Sequence, residues 1–313
     1  MPKDQISKQL SFLCSALDDP RRLELHQSEV SDVFRQQGAP EDVIEIAHDL
    51  TKLRRADASK MMGAFGLFGQ PFMQPIVHTH DYDYPLQPHI PLPEPRIPDR
   101  PLGEVIRGRR SGRNFTGGAL GLSTLGSLLF GAIGQTEQIL AGYDGDSPVT
   151  GSLRSIPSAG ALHPTRIFTV LWQEGELAKG VYNYDVEGHA LEFVRSLDDS
   201  ELEPLFEAFP IRPLVNIEQA SAIFFISSKF WRVRAKYGPR AYRFCLFEVG
   251  AACQNLSLTA VAFGLGHVVL GGFYDDEIHD YLQIDGIDHA VIAAVAVGNL
   301  ALEPEEESRD VQF

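Results

Sequence analysis

From Tyr242 to Gly264 the chain reads YRFCLFEVGAACQNLSLTAVAFG, which at helical period is apolar on nearly every face and is broken by Glu248, Gln254 and Asn255. A helix without a polar face must be packed on all sides, either inside its own domain or in a subunit interface. Any fold for this chain therefore has to supply a large covering surface. The remaining sequence can do so: 313 residues, 44% hydrophobic and 22% charged, bury a sizeable core without disulfide staples. The length fits one large domain with an appendage, or two domains.

Charge narrows the partners. With 27 Lys and Arg against 42 Asp and Glu the formal net charge is −15, so nucleic acid and anionic membrane would repel the protein as a whole. Cys14, Cys245 and Cys253 have no metal-binding spacing. On one helix, Cys245 and Cys253 would be separated by ~12 Å of rise, too far for a disulfide. They read as free buried thiols in a reducing cytoplasm. The start, Met-Pro-Lys-Asp, leads into no signal-peptide core, and no run approaches the length of a spanning helix. A cytoplasmic protein without a metal site is expected.

Residues 1–84 read as a helical appendage. Ile6, Leu10, Leu13 and Leu17, then Val30, Val33 and Phe34, then Val43, Ile44, Ile46 and Ala47 recur at helical spacing, with Gly38, Ala39 and Pro40 as a break. The apolar, glycine-rich, aperiodic stretch 61–75 fits a segment lying on another surface. Residues 85–101 hold seven prolines in seventeen positions, a density that excludes helix and sheet and predicts an extended connector. Residues 102–313 mix helical and β patterns. A helix opens at Ser123 within 120–133, followed by a polar loop over 135–155, a strand over 166–173 and a hairpin turning at Glu187-Gly188. A short acidic helix near 198–208, a buried strand over 220–227, the long apolar helix, a short helix and a final strand over 289–297 complete an α+β pattern.

Four segments carry chemistry-bearing side chains. In 104–114 (EVIRGRRSGRN), Arg107, Arg109, Arg110 and Arg113 accompany Ser111 with a single acid. Guanidinium forks and a hydroxyl suit phosphate, but a solvated surface run has the same spacing, and the pattern leaves both open. In 156–164 (IPSAGALHP) small residues allow close approach to a planar ligand, with His163 held between turns as a structural hydrogen-bonder or a catalyst. Lys236-Tyr237-Gly238 lies within 229–247, which has six basic residues and no acid. Crowded cations depress a lysine pKa and make a general base with a tyrosine beside it; a solvated basic face is the other reading. GLGHVVLGGF (264–273) is neither GxGxxG nor a Walker A loop, and its glycines serve either ligand approach or tight packing.

In order along the chain, RRSGRNF (109–115), PSAGALHP (157–164), GVYNYDVEGHALE (180–192), KYGPRAYRF (236–244), E-x-G-x-x-x-Q-N from Glu248 to Asn255, and GLGHVVLGGF resemble the nitroreductase-like flavoproteins. Within them the resemblance is closer to the SagB/ThcOx-type azoline dehydrogenases, and it covers roughly residues 100–300. It implies an α+β fold with a central antiparallel sheet flanked by helices, built as an intertwined homodimer with FMN at the subunit interface and the long apolar helix at the dimer core. By motif match, Arg109, Arg110, Ser111 and Arg113 would hold the FMN phosphate and the polar edge of the flavin. Pro157, Ser158, Ala159 and Gly160 would pack on the isoalloxazine, with His163 in the same loop. Gln254 and Asn255 would lie near the ribityl chain or ring, and Gly271 and Gly272 would offer backbone contacts.

The implied activity is oxidation of a thiazoline or oxazoline ring, in a peptide or carrier-protein-bound intermediate, to the aromatic azole. Lys236 would be the general base and Tyr237 a proton relay or orienting group, with flavin N5 as hydride acceptor and molecular oxygen as final oxidant. A cyclodehydratase or a synthetase would be the partner enzyme. A NAD(P)H-dependent nitroreductase and a non-catalytic scaffold of a biosynthetic complex are the alternatives. Gly250-Ala251 departs from the Gly-His such proteins often carry, which bears on substrate identity and not on FMN binding. The first hundred residues match none of these motifs and are expected to cover the domain, with some partner contact.

Overall fold

A computed structural model of the chain describes residues 47–55, 63, 66–68, 70, 84, 86–144 and 147–301. The chain divides into two compact units, Met1–Lys52 and Leu53–Phe313. In the first, the described residues are a helix end, 47–50, and the turn after it. The helical positions expected at 6–46 lie outside the described residues.

The second unit contains, in chain order, β1 (His89–Pro91), α1 (Leu102–Gly108), α2 (Leu122–Ile133), β2 (Gln135–Asp144), β3 (Ser147–Arg154), β4 (Thr165–Leu171), β5 (Gly180–Asp185), β6 (Ala190–Ser196), α3 (Leu202–Glu207), β7 (Ala222–Lys229), α4 (Phe230–Tyr237), α5 (Ala241–Ala262), β8 (Gly266–Leu270), α6 (Asp275–Leu282) and β9 (His289–Gly298). Seven strands form one antiparallel sheet in the order β1-β6-β5-β4-β7-β9-β8. Its central strands are rich in Val, Ile and Phe and are buried on both faces, as a sheet covered by helices on each side requires.

Side chains alternate between two cores with the period of two that a strand imposes. Phe224, Ile226, Val295 and Val297 point toward α2 and α5, where Leu128, Leu129, Ala252 and Leu256 meet them. Ile223, Phe225, Ala294 and Ala296 point the other way, toward Leu205, Phe206, Phe209, Ile278 and Leu282 around α3 and α6. Gly131 lets α2 and α5 approach closely, because a Cβ there would overlap the Thr259 side chain.

The long apolar segment is α5. One side is in the core, while Tyr242 (51% exposed), Leu246 (38%) and Phe247 (67%) face outward along the other. The stretch Phe230–Ala262 is long and apolar enough to cross a membrane by length and composition, and half of its most apolar window is buried within the chain.

Two expectations are corrected. Residues 135–155 are not a loop: β2 and β3 pair antiparallel from Gln135↔Arg154 to Asp144↔Ser147. Register shifts at Gln135/Glu137 and Leu140/Gly142 interrupt the alternation, which hid the strands in the sequence. The proline-rich connector does not exclude sheet either, since His89–Pro91 forms the edge strand on β6. It works because the prolines need not donate: Pro88 O accepts from Phe193 N–H, and Leu92 N–H donates to His189 O.

Candidate functional site

The PSAG segment becomes a tightly wound loop between β3 and β4. Gly160, Ala161 and His163 all have positive φ, at 64°, 53° and 47°, so the backbone doubles back within four residues. A Cβ at Gly160 would lie 2.7 Å from the Tyr237 hydroxyl and 2.8 Å from Lys236 Nζ. The last two residues of α4 therefore close over the one loop position that has no side chain. The Lys236 ammonium also lies 5.6 Å from the Phe68 ring centre and 5.6 Å from that of Tyr237. Phe68, from the stretch expected to lie on another surface, packs on the cluster of Leu162, Val233, Ala241 and Cys245.

Burial lowers the Lys236 pKa from its ordinary value and raises that of Tyr237. Cation crowding, the cause expected from the sequence, is not what acts on Lys236. Desolvation does, because it disfavours the ammonium in a half-buried setting. Both shifts favour the uncharged side chain relative to its exposed form.

Beneath the loop lies a polar cluster that the motifs did not single out. Arg232 Nε donates to Leu162 O (2.9 Å), and Arg166 Nη1 donates to His163 O (2.8 Å) and Thr165 O (3.1 Å). Glu248, buried on the flank of α5, accepts from Thr165 N–H (3.4 Å). Arg154, at the end of β3, has its Nε and Nη1 buried with no acceptor, and burial holds its pKa down to about 9. His163 Nε2 is 2.8 Å from Ser152 O, and burial, reinforced by Arg154, pushes its pKa down to about 3. A ring that stays neutral and bonded to backbone is a structural hydrogen-bonder, so of the two roles open to His163 the structure supports that one.

The arginine run lies elsewhere. It follows α1 and crosses beside β8, where Gly112 N–H donates to His267 O (2.8 Å). Arg110 Nη1 donates to the carbonyls of Arg107 and Arg109, and Arg113 Nη1 to that of Ser111. Among the described residues none of Arg107, Arg109, Arg110 and Arg113 meets a carboxylate. His267 is buried with both ring nitrogens unbonded, and burial together with Arg109 pushes its pKa down to about 4. Gly271 and Gly272 follow β8 and face open space.

The two groups sit at opposite ends of the sheet. Lys229, where β7 leads into α4, pairs with His289, whereas His267 pairs with Val297. Eight residues of β9 separate these registers, ~26 Å at about 3.3 Å per residue. Of the remaining sequence candidates, Gln254 is exposed on the outer face of α5. Asn255 Nδ2 is committed to Gly131 O and Ser155 O, tying α5 to the end of α2 and the start of the loop. Gly250 is exposed with open space around it, and Ala251 is half-buried beside it.

The sequence profile of the Nitroreductase family matches residues 106–299. The chain belongs to this family. Protein MJ1384 of Methanocaldococcus jannaschii, named as a nitroreductase, is 33% identical over 190 residues, 61% of this chain and 88% of its own. The trifolitoxin-processing protein TfxB of Rhizobium leguminosarum bv. trifolii is 27% identical over 146 residues, 46% of this chain but only 39% of TfxB. Among solved structures, a nitroreductase-named protein of Ralstonia eutropha JMP134 superposes with a TM-score of 0.55 at 24% identity, covering 69% of this chain and 90% of the other. A chain of the E. coli microcin synthetase McbBCD complex superposes with a TM-score of 0.50 at 20% identity, covering 85% and 100%. These likenesses establish the fold: the nitroreductase-like arrangement of an antiparallel sheet flanked by helices is the one observed.

The nitroreductase-family residues fit FMN on three observations. Four arginines without carboxylate partners offer donors to a phosphate. Gly271 and Gly272 leave room for a ligand against the backbone. At Gly160 the wound loop carries no side chain and lies against Lys236 Nζ and the Tyr237 hydroxyl, the groups that would face a ring held there. Arg154, Arg166 and Arg232 were missed from the sequence, and Glu248 and His267, though inside the quoted motifs, were given no role there. For Glu248 and Arg154 a signal existed: a lone acid in an all-apolar helix, and an arginine three residues before PSAG.

Proposed function

We propose that this nitroreductase-family chain is an FMN-dependent dehydrogenase. It oxidises a thiazoline or oxazoline ring, in a peptide or carrier-protein-bound intermediate, to the azole. The observation that carries the reading is the convergence of Lys236 Nζ and Tyr237 Oη on Gly160. Aromatising an azoline requires loss of a ring C–H proton, and burial favours the neutral amine of Lys236 that can take it. Tyr237, held protonated by the same burial, orients the ring or relays the proton. FMN, when bound, supplies the two-electron acceptor. Arg109, Arg110, Ser111 and Arg113 would hold its phosphate and polar edge, with Gly271 and Gly272 against it. Pro157, Ser158, Ala159 and Gly160 would carry its ring, and Gln254 would lie near it from α5.

In this reading the two sets, separated along β9, meet across a homodimer, the arginine run of one copy facing the loop and Lys236 of a second. The exposed apolar side of α5 supplies the surface for that homodimer. The name of TfxB, a trifolitoxin-processing protein, supports a role in processing a natural product. The partner is then the enzyme that closes the ring, a cyclodehydratase or a synthetase. In this reading residues 102–313 carry the chemistry, 85–101 connect, and 1–84 cover the domain, in a cytoplasm that keeps Cys245 and Cys253 as thiols.

Purified protein should be yellow, and incubation with a thiazoline peptide should give a mass loss of about 2 Da, the two hydrogens removed. A coloured protein that leaves the thiazoline unchanged refutes the substrate, and a colourless one that takes up no FMN favours the scaffold role. The relationship to MJ1384 favours a second reading, a NAD(P)H-dependent reductase. Rapid bleaching of the flavin by NADH in stopped-flow mixing would establish it.

A further inference from the structure

A side chain from upstream of β1 reaches the Lys236 amine. Gln70 N–H donates to Leu67 O (3.0 Å) and Gln70 Nε2 to Gly66 O (3.2 Å), so the chain turns tightly about Leu67 and Phe68. The turn sends the two apolar side chains apart: Leu67 is 48% exposed, whereas Phe68 packs on Leu162, Val233, Ala241 and Cys245. There the centre of its ring lies 5.6 Å from Lys236 Nζ, the same distance as that of Tyr237. The amine thus stands between two aromatic rings and Gly160, a position with no side chain of its own.

We infer that Phe68 is a positioning residue for Lys236, its ring capping the amine against water, so that a residue from upstream of the proline-rich segment completes the site. Such a ring has two opposed effects. Its π face attracts an ammonium and favours the charged form, whereas its bulk excludes water and favours the amine. At 5.6 Å the ring centre is near the ~6 Å limit of cation–π attraction, so exclusion of water is the larger effect. The ionisable groups around the amine are the Tyr237 hydroxyl, Arg232, which is turned to Leu162 O, and exposed Arg234 on α4, with buried Cys245 and Glu248 on α5. Gly66, Leu67 and Phe68 bring none, and neither do Ala159, Gly160 and Ala161. Burial is what lowers the Lys236 pKa, in keeping with an apolar cap. The cap needs no cofactor; that Lys236 is the base it serves rests on the function proposed above.

The test labels amines of the full chain with acetic anhydride across about pH 7–11 and follows the Lys236 peptide by mass spectrometry, which reads the titration midpoint and the accessibility of this one lysine without any turnover. Phe68→Ala should raise the midpoint, leaving about threefold less free amine at pH 8, and should speed labelling on the alkaline plateau several-fold. Phe68→Leu, which keeps apolar bulk but has no π face, should fall between Phe68→Ala and wild type. Leu67→Ala, at the exposed neighbour, should change neither readout. The inference is overturned if Phe68→Ala leaves both readouts at their wild-type values, or if Phe68→Leu moves the midpoint below wild type, which would make cation–π attraction the larger effect. It is equally overturned if Leu67→Ala matches Phe68→Ala, since the turn as a whole and not the ring would then do the covering. With a thiazoline peptide, the acid limb of kcat/KM should move to higher pH in Phe68→Ala together with the labelling midpoint. Wild type that oxidises no azoline would refute the proposed function, while the labelling would still decide the role of Phe68.

Discussion

The chain has two groups of arginines that do opposite things with the same guanidinium. Arg107, Arg109, Arg110 and Arg113 lie at or near the surface at one end of the sheet, where Arg110 and Arg113 donate to nearby backbone carbonyls and, among the described residues, none of the four faces a carboxylate. Arg154, Arg166 and Arg232 gather under the loop at the other end, where two of them spend donors on loop carbonyls and the third has its Nε and Nη1 buried without an acceptor. The first group keeps its donors available for an incoming anion; the second is consumed in shaping backbone. Sequence density of positive charge does not distinguish them. Solvent exposure and the acceptor each one finds do.

The largest effect should come from separating the two ends genetically. Lys236→Ala should lower azoline oxidation ~10³-fold, within the range for losing a general base, and a combined Arg109→Ala/Arg110→Ala variant should lose FMN. If each site takes its arginines from one copy and its lysine from the other, mixing the two inactive variants by co-expression should restore one good site per mixed dimer. Random pairing then gives about a quarter of wild-type activity. No recovery at all would place both groups of one site in a single copy and remove the division of labour between the two ends.

Acid should test both ends through stability. His163, at the loop end, has its pKa held at about 3, and His267, at the arginine-run end, at about 4. The unfolded chain takes up these protons near pH 6.5 and the folded chain does not. Their contribution is therefore complete above pH 6.5 and falls away as the pH drops toward 3 or 4, on the order of 4 kcal/mol for His163. Glu248 has the opposite sign, because its raised pKa favours the fold as it becomes protonated. Urea titrations across pH 4–7 should show the net loss. His163→Gln should flatten the curve more than His267→Gln, and equal slopes for wild type and both variants would count against the burial assigned to these rings.

A smaller effect is expected at the hinge of the loop. Gly160→Ala places a methyl against the Tyr237 hydroxyl and Lys236 Nζ in a left-handed backbone, costing about 1–2 kcal/mol of stability. The turnover rate should fall further than the melting temperature suggests if the displaced groups react as proposed; kcat and thermal melts measured together separate the two.

How far the sequence foretold this arrangement depended on whether a signal was local. The core strands were legible because a strand buried on both faces reads as an unbroken apolar run, as Ala222–Ile226 and Ala290–Val297 do. The β2–β3 ribbon was not, since two register shifts and several glycines erase its alternation. Arg109 and Lys236 stood out as charge inversions in an acidic chain. Glu248 did not, because one acid in an apolar helix shows its contact only when Thr165, some eighty positions away, is seen to donate to it. Cation crowding fails as the cause of the Lys236 shift for the same reason: charge is written in the sequence, whereas the desolvation that dominates depends on what covers the side chain.

The smallest expected effect is the most selective probe of the two arginine groups. An exposed guanidinium acts on an anion through solvent, and at 1 M salt the Debye length shrinks to about 3 Å from about 10 Å at 0.1 M. The contribution of Arg110 to FMN binding should therefore be modest, a few-fold in Kd at low salt, and should largely vanish at high salt. Arg154 is shielded from ions by the protein around it, so the change in FMN affinity caused by Arg154→Met should be nearly the same at both salt concentrations. Fluorescence titrations of wild type, Arg110→Ala and Arg154→Met at 0.05 M and 1 M salt test this directly. If the Arg154→Met effect is screened as strongly as that of Arg110→Ala, Arg154 contacts the cofactor through solvent and belongs with the surface group. If neither is screened, the Arg107–Arg113 segment is covered in the assembled dimer, and its arginines meet the phosphate in a desolvated pocket where each is worth more than its exposure in a single chain implies.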